Sequence, residues 1–295
     1  MSVIANYKLM EHHFTTTNGV RLHVVQAGPV DGLLVILLHG FPEFWYGWRK
    51  QITFLAEAGY RVWAPDQRGY NLSDKPDGVG AYQTDTLVDD ILGLIDASGR
   101  QQVFLVGHDW GAMVAWRLAA RYPERLHKLV ILNVPHWRVM KRFALRQPRQ
   151  LARSWYIFFF QLPWLPETLI KWKQYGFMVQ TLLGTSRPGT FRREDLAQYK
   201  QAWAQPNAFR SMVNWYRAAI QKRPVERVNS VIQVPVLVLW GKQDRFLMAE
   251  MAQLSLNYCT DGQLVYFEEA THWVQHEEAA GVNIAIVDFF DAGRV

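Results

Sequence analysis

The chain has 295 residues, 49% of them hydrophobic and 20% charged, with a single cysteine, Cys259. These proportions exclude a disordered chain, and one cysteine excludes an internal disulfide framework, which is compatible with a reducing compartment. The formal net charge is +6, much of it in Lys141, Arg142, Arg146, Arg149 and Arg153; such a cluster can attract nucleic acid or an anionic membrane, but no nucleic-acid motif accompanies it and a solvated helix face is expected.

Met1 to Lys8 lacks the charged-then-apolar pattern of a signal peptide. The longest apolar runs, such as Leu33 to Leu38 and Ile157 to Phe160, fall far short of the ~20 residues of a spanning helix. A soluble, cytoplasmic protein is expected. Phe14 to Thr17 and Val20 to Val24 flank Asn18-Gly19, a type I′ turn signal that predicts a hairpin. Leu33 to Leu38 is continuously apolar, as a parallel strand covered on both faces should be. A helix is predicted over Tyr46 to Ala58, stopped by Gly59. A strand at Arg61 to Ala64, a helix at Asp85 to Ala97, and strands at Val103 to Val106 and Lys128 to Leu132 follow.

From about Pro135 to Asn229 this rhythm breaks. The segment reads as helical, aromatic and basic, is punctuated by six prolines from Pro148 to Pro224, and holds no convincing buried strand. Alternation returns with a strand at Val236 to Trp240, a helix near Met248 to Leu256, a strand at Gln263 to Phe267 and a last helix at Val282 to Phe290. The pattern predicts an α/β fold with a mostly parallel central sheet. Its core would comprise residues 1–134 and 231–295, with an inserted helical cap, residues 135–230, over the sheet's C-terminal edge.

The most informative stretch is Gly107-His108-Asp109-Trp110-Gly111, between the strand at Val103 and a run of helix formers from Ala112. Strand, Gly-x-X-x-Gly, helix is the nucleophile elbow of the α/β-hydrolase fold, where the middle residue is usually Ser. Here it is Asp109. A carboxylate is ionised at neutral pH and needs no base to become a nucleophile. It can attack an alkyl carbon and leave an ester that water must cleave, which points to opening of epoxides or carbon–halogen bonds. Asp also suits a helix N-cap, but a cap alone does not require a glycine on either side.

The second step needs a base. His272 lies after the last predicted strand, in the chain order nucleophile, acid, His that this fold uses. His276, beside Glu277 and Glu278, suits a surface role; His39 and His108, beside glycines in tight turns, suit structural hydrogen bonding. Asp244, just past the strand Val236 to Trp240, is placed to orient the base; the alternative position after Leu132 holds Asn133, which carries no charge. Backbone N–H groups of Phe41, in His39-Gly40-Phe41-Pro42, and of Trp110 are placed as an oxyanion hole. An epoxide oxygen would also need acids. The cap offers Tyr156, in an aromatic stretch, and Tyr216, mid-helix, although residues of this kind are more often packing residues.

The chain resembles the epoxide hydrolases of the α/β-hydrolase superfamily over essentially its whole length. The matching segments are His39 to Glu43, Asp66 to Tyr70, Gly107 to Gly111, Gly241 to Asp244 and His272 to Glu277. Family members also carry one Tyr shortly before an aromatic stretch ending in Phe-Gln and another in Asn-Trp-Tyr-Arg, where this chain has Tyr156 and Tyr216. The resemblance implies Asp109 as attacking carboxylate, Tyr156 and Tyr216 as the acid pair, Asp244 and His272 as the water-activating pair, and vicinal diols as products. It implies no cofactor and no metal, and partners limited to a small-molecule epoxide and water, in a monomer or homodimer. Phe41, Trp110, Trp155 and Phe159 are expected to line the substrate pocket, and the aromatic cap suggests an apolar epoxide. Rival readings are a haloalkane or haloacid dehalogenase with the same Asp, His and Asp, and a non-catalytic binding homologue. A serine esterase is weaker, since no Gly-x-Ser-x-Gly occurs.

Overall fold

A computed structural model describes residues 10–221 and 229–293. The readings of Met1 to Lys8 and of Pro224 lie outside these residues. The chain opens with a hairpin, β1 (Glu11–Thr17) against β2 (Val20–Ala27). Asn18 and Gly19 turn it with φ of 46° and 73°, the two positive values that a type I′ turn requires. β3 (Leu34–Leu38), β4 (Arg61–Pro65), β5 (Val103–His108), β6 (Leu126–Leu132), β7 (Val236–Gly241) and β8 (Gly262–Phe267) complete one eight-stranded sheet of order β1-β2-β4-β3-β5-β6-β7-β8. The pairings of β2 with β1 and with β4 are antiparallel; all others are parallel.

Helices cover both faces, and β3, in the middle of the sheet, is apolar at every position. Leu34, Ile36 and Leu38 join one core with Trp116 of α3 (Trp110–Arg121) and Ile91 of α2 (Thr84–Ala97). Val35 and Leu37 join a second core with Ile52 of α1 (Arg49–Glu57) and residues near the C-terminus such as Phe290. The period-2 alternation of a strand therefore feeds two cores, and each fully buried Leu or Ile contributes about 1.5–3 kcal/mol. The helix predicted from Tyr46 begins instead as a tight 3₁₀ turn, Trp45–Trp48, before α1. Here Gly47 packs against the Glu43 side chain.

Between β6 and β7 the described residues form only helices: α4 (Trp137–Arg146), α5 (Pro148–Arg153), α6 (Trp155–Phe159), α7 (Leu165–Lys171), α8 (Gly176–Thr185), α9 (Arg193–Trp203) and α10 (Ala208–Ile220). They sit over the C-terminal ends of the strands. Trp203 donates its indole N–H to the Pro42 carbonyl at 2.7 Å, and Trp215 donates to that of Arg68 at 3.0 Å. Both indoles are buried, so these aromatics fasten the insertion to the loops after β3 and β4. After β7 come α11 (Glu250–Leu256), α12 (Val274–Glu277) and α13 (Ala279–Asp291). No helix among the described residues is long and apolar enough to cross a membrane.

Candidate active site

β5 delivers the chain into a sharp turn at Asp109, whose φ of 50° and ψ of −123° are unfavourable for a side chain with a Cβ. Such strain costs on the order of 1–3 kcal/mol and persists only where the surroundings enforce it. Two glycines packed around the turn show how. A Cβ on Gly111 would collide with the Leu38 carbonyl of β3, and one on Gly40 would collide with the Asp109 side chain. The Asp109 side chain makes no capping bond to α3. Its Oδ1 instead accepts the Phe41 N–H at 2.7 Å, and its Oδ2 lies 3.4 Å from His272 Nε2. The carboxylate is turned away from the helix it precedes, towards the loop after β3.

His272, on the loop after β8, is buried and hydrogen-bonds through Nδ1 to Asp244 Oδ2 at 2.7 Å. Asp244, on the loop after β7, is held in turn. Its Oδ1 accepts the N–H groups of Phe246 and Leu247 at 2.7 and 3.0 Å. Its Oδ2 also accepts the Asn133 side-chain amide at 2.8 Å, while Asn133 Oδ1 accepts the Gly241 N–H at 3.0 Å. Asn133, set aside in sequence because it carries no charge, thus ties the end of β6 to the acid at the end of β7. Burial opposes protonation of His272, but Asp244 and Asp109 outweigh it and push the imidazole up to about 10. Burial likewise raises the Asp109 carboxyl, but the hydrogen bond and charge of His272 prevail and hold it below the ordinary carboxylate value. The pair rests as carboxylate and imidazolium at neutral pH.

Above Asp109 lies a cavity of about 460 Å³ whose walls include Asp109, His272, Tyr156 from α6 and Tyr216 from α10. The two phenol rings stand 6.0 Å apart at 81°. Burial, and then the Asp109 charge, push both phenols above their ordinary range, so both remain neutral hydrogen-bond donors. Phe41 and Trp155 line the cavity as expected from sequence, but Phe160 takes the place expected for Phe159. Phe160 is buried, whereas the half-buried Phe159 ring lies 6.0 Å from that of Trp155. Trp110 is also absent from the walls: its ring packs edge-on to Tyr216 at 4.9 Å.

Two histidines behave as anticipated and one does not. His39 accepts the Gln67 N–H through Nε2 and bonds the Gly40 carbonyl through Nδ1; His108 donates Nε2–H to the His272 carbonyl at 2.9 Å. The surface role expected for His276 is wrong. It is buried and donates to Glu43 Oε1 at 2.7 Å, because the short α12 turns its first residues onto the core and not outward. Glu43 also accepts from Tyr199 at 2.6 Å and Gln275 at 2.9 Å, and Gln275 donates to His108 Nδ1 at 3.1 Å. Burial would raise the Glu43 carboxyl, but His276 and His108 hold it well below its ordinary value. Glu277 is likewise no surface residue: it accepts the Thr271 N–H at 2.7 Å and hydroxyl at 2.8 Å, pinning the residue before His272. An acid directly after His-Gly-Phe-Pro was the available sequence signal for Glu43.

Chemically, the cavity holds a carboxylate, two neutral phenols and an imidazole braced by a second carboxylate. Comparison with known proteins gives a consistent picture. Residues 34–279 match the family described as the alpha/beta hydrolase fold. The chain is 48% identical to the AB hydrolase superfamily protein YfhM of Bacillus subtilis, over 94% of this chain and 96% of that protein. It is 38% identical to Epoxide hydrolase 4 of Homo sapiens, over 92% of this chain and 76% of that one. A crystal structure of an epoxide hydrolase mutant from Bacillus megaterium superposes with a TM-score of 0.85 at 30% identity, covering 95% of this chain and all of that one.

Proposed function

Because the chain belongs to the α/β-hydrolase fold family, among its epoxide hydrolases, we propose that it converts apolar epoxides to vicinal diols through a covalent ester on Asp109. The observation that carries this reading is the single cavity in which Asp109 and His272 share walls with two neutral tyrosines. Asp109 attacks a ring carbon, the carbon–oxygen bond of the epoxide breaks, and the ring oxygen takes a proton from Tyr156 or Tyr216. Esterification removes the Asp109 charge beside His272. The imidazole, held up to about 10 by two carboxylates, then releases its proton, which restores the phenol. Neutral His272 can now take a proton from water, and the hydroxide adds to the Asp109 carbonyl. The Phe41 and Trp110 N–H groups steady the oxyanion; collapse breaks the ester bond, the expelled alkoxide takes the proton of the hydroxyl just added to the carboxyl carbon, and the diol leaves with Asp109 ionised and His272 protonated as at the start.

The Phe41 N–H already meets Asp109 Oδ1 at 2.7 Å, which supports its part in that scheme. We assign residues 1–134 and 231–295 to the catalytic core and 135–230 to a cap, and read the protein as cytoplasmic, acting on a small epoxide and water as a monomer or homodimer. The test is a single turnover of excess enzyme with styrene oxide in ¹⁸O-labelled water. Unlabelled diol with label in the Asp109 peptide is expected, because water attacks the carboxyl carbon. Labelled diol with unlabelled Asp109 would mean direct attack by water and would overturn the assignment; absence of diol would direct the search to halogenated substrates.

A further inference from the structure

The positive charge of this protein is not spread over its surface. Residues 137–186 hold eight Lys or Arg and one acid, Glu167, a net charge of +7 in a chain whose total is +6. Glu167 is taken by Arg217 of α10 at 2.7 Å. The amphipathic α4 packs Trp137, Met140 and Phe143 inward and leaves Arg138, Lys141, Arg142 and Arg146 exposed; Arg149 and Arg153 of α5 are exposed as well.

The same stretch leaves large apolar side chains in solvent. Trp155 is 57% exposed, Phe158 58%, Trp164 71% and Trp172 65%. A cation, Lys173, sits over the Trp172 ring at 4.6 Å. Arg153, Trp155, Phe177 and Arg245 are exposed and also line the cavity above Asp109, so exposed cations and rings stand at the cavity's walls.

We propose that this face of the cap docks onto an anionic lipid surface. Arg and Lys interleaved with exposed Trp, Phe and Leu are the composition of segments that lie in a membrane interface, the rings entering the headgroup layer and the cations meeting lipid phosphates. Charge decides against a second copy as the occupant: two faces of +7 would repel across a self-contact. On the epoxide-hydrolase reading, docking brings those walls of the cavity to the phase into which an apolar epoxide partitions.

The experiment is sedimentation of the full chain with vesicles of phosphatidylcholine alone, and with vesicles in which about a third of the lipid is phosphatidylglycerol. Binding is expected to the anionic vesicles only, and to weaken as salt is raised. Each cation at the surface contributes about fivefold in affinity, so the variant Arg142→Glu/Arg146→Glu/Arg149→Glu should bind more than about a hundredfold more weakly. Trp164→Ser/Trp172→Ser removes rings that do not line the cavity and should also weaken binding. Both variants should retain activity on a water-soluble epoxide, which shows that they are folded and separates this test from that of the reaction. No binding to anionic vesicles, or binding indifferent to salt and to both variants, overturns the proposal. So does a dimer in gel filtration that the same substitutions dissociate, which would assign the face to a second copy.

Discussion

At the scale of single residues, His272 is the group on which two charges converge. Its folded value of about 10 lies above the ordinary imidazole value. A raised value means the folded state holds the proton more tightly than the unfolded chain. The stabilisation is therefore complete below about pH 6.5 and is lost as pH rises through about 10. Thermal unfolding of the native chain should show a falling Tm across that window. His272→Gln, which cannot titrate, should flatten the fall; an unchanged slope would place the proton elsewhere. The same substitution should leave formation of the Asp109 ester intact but slow its hydrolysis by ~10²–10⁴-fold, so the ester accumulates and mass spectrometry detects it. Asn133 is the other residue with a direct consequence. Its amide donates to the buried Asp244 carboxylate, a hydrogen bond to a charged group worth about 1.5–3 kcal/mol. Asn133→Ala should lower stability by that amount in denaturant titration and lower kcat more than it changes KM.

At the scale of elements, the strand-to-helix turns carry the site. Gly111 begins α3 against the Leu38 carbonyl of β3 with no room for a methyl group. Gly111→Ala must push α3 away from β3, at about 1–3 kcal/mol for overpacking, and displace the Asp109 elbow with it. A lower Tm together with lost activity is the expected pair of results; full activity would show that the elbow does not depend on this contact. The elbow and the loops after β3, β7 and β8 were legible in the sequence because each is written locally, as a strand followed by glycines and a polar residue. The cap helices were legible only as a helical region, since their packing against the core rests on partners elsewhere in the chain.

At the scale of the whole molecule, cap and core are interlocked. Tyr199 to Glu43, Trp203 to Pro42 and Trp215 to Arg68 are buried hydrogen bonds from the cap to the loops of the sheet, and one core cluster includes residues of both parts. Loss of the cap would expose buried aromatics and leave the Glu43 carboxylate without the Tyr199 hydroxyl. Unfolding in denaturant, followed by circular dichroism and by tryptophan fluorescence, should therefore give coincident curves. Separate midpoints would mean that the cap unfolds by itself.

Sequence by itself determined the alternation of strands and helices, the hairpin turn at Asn18-Gly19, and the candidate acids and bases at Asp109, Asp244 and His272. These follow from local rules: the side-chain period of a strand, the backbone freedom of glycine, and the reactivity of a given side chain. Tertiary structure decided the rest. It buried His276 against Glu43, 233 positions away in the chain, and set the Asn133 amide on Asp244, 111 positions away. It also chose Phe160 over Phe159 as a cavity wall. Such pairings depend on which strand ends the sheet order brings together and on the rotation of each helix against its neighbours, and no local pattern of residues encodes either.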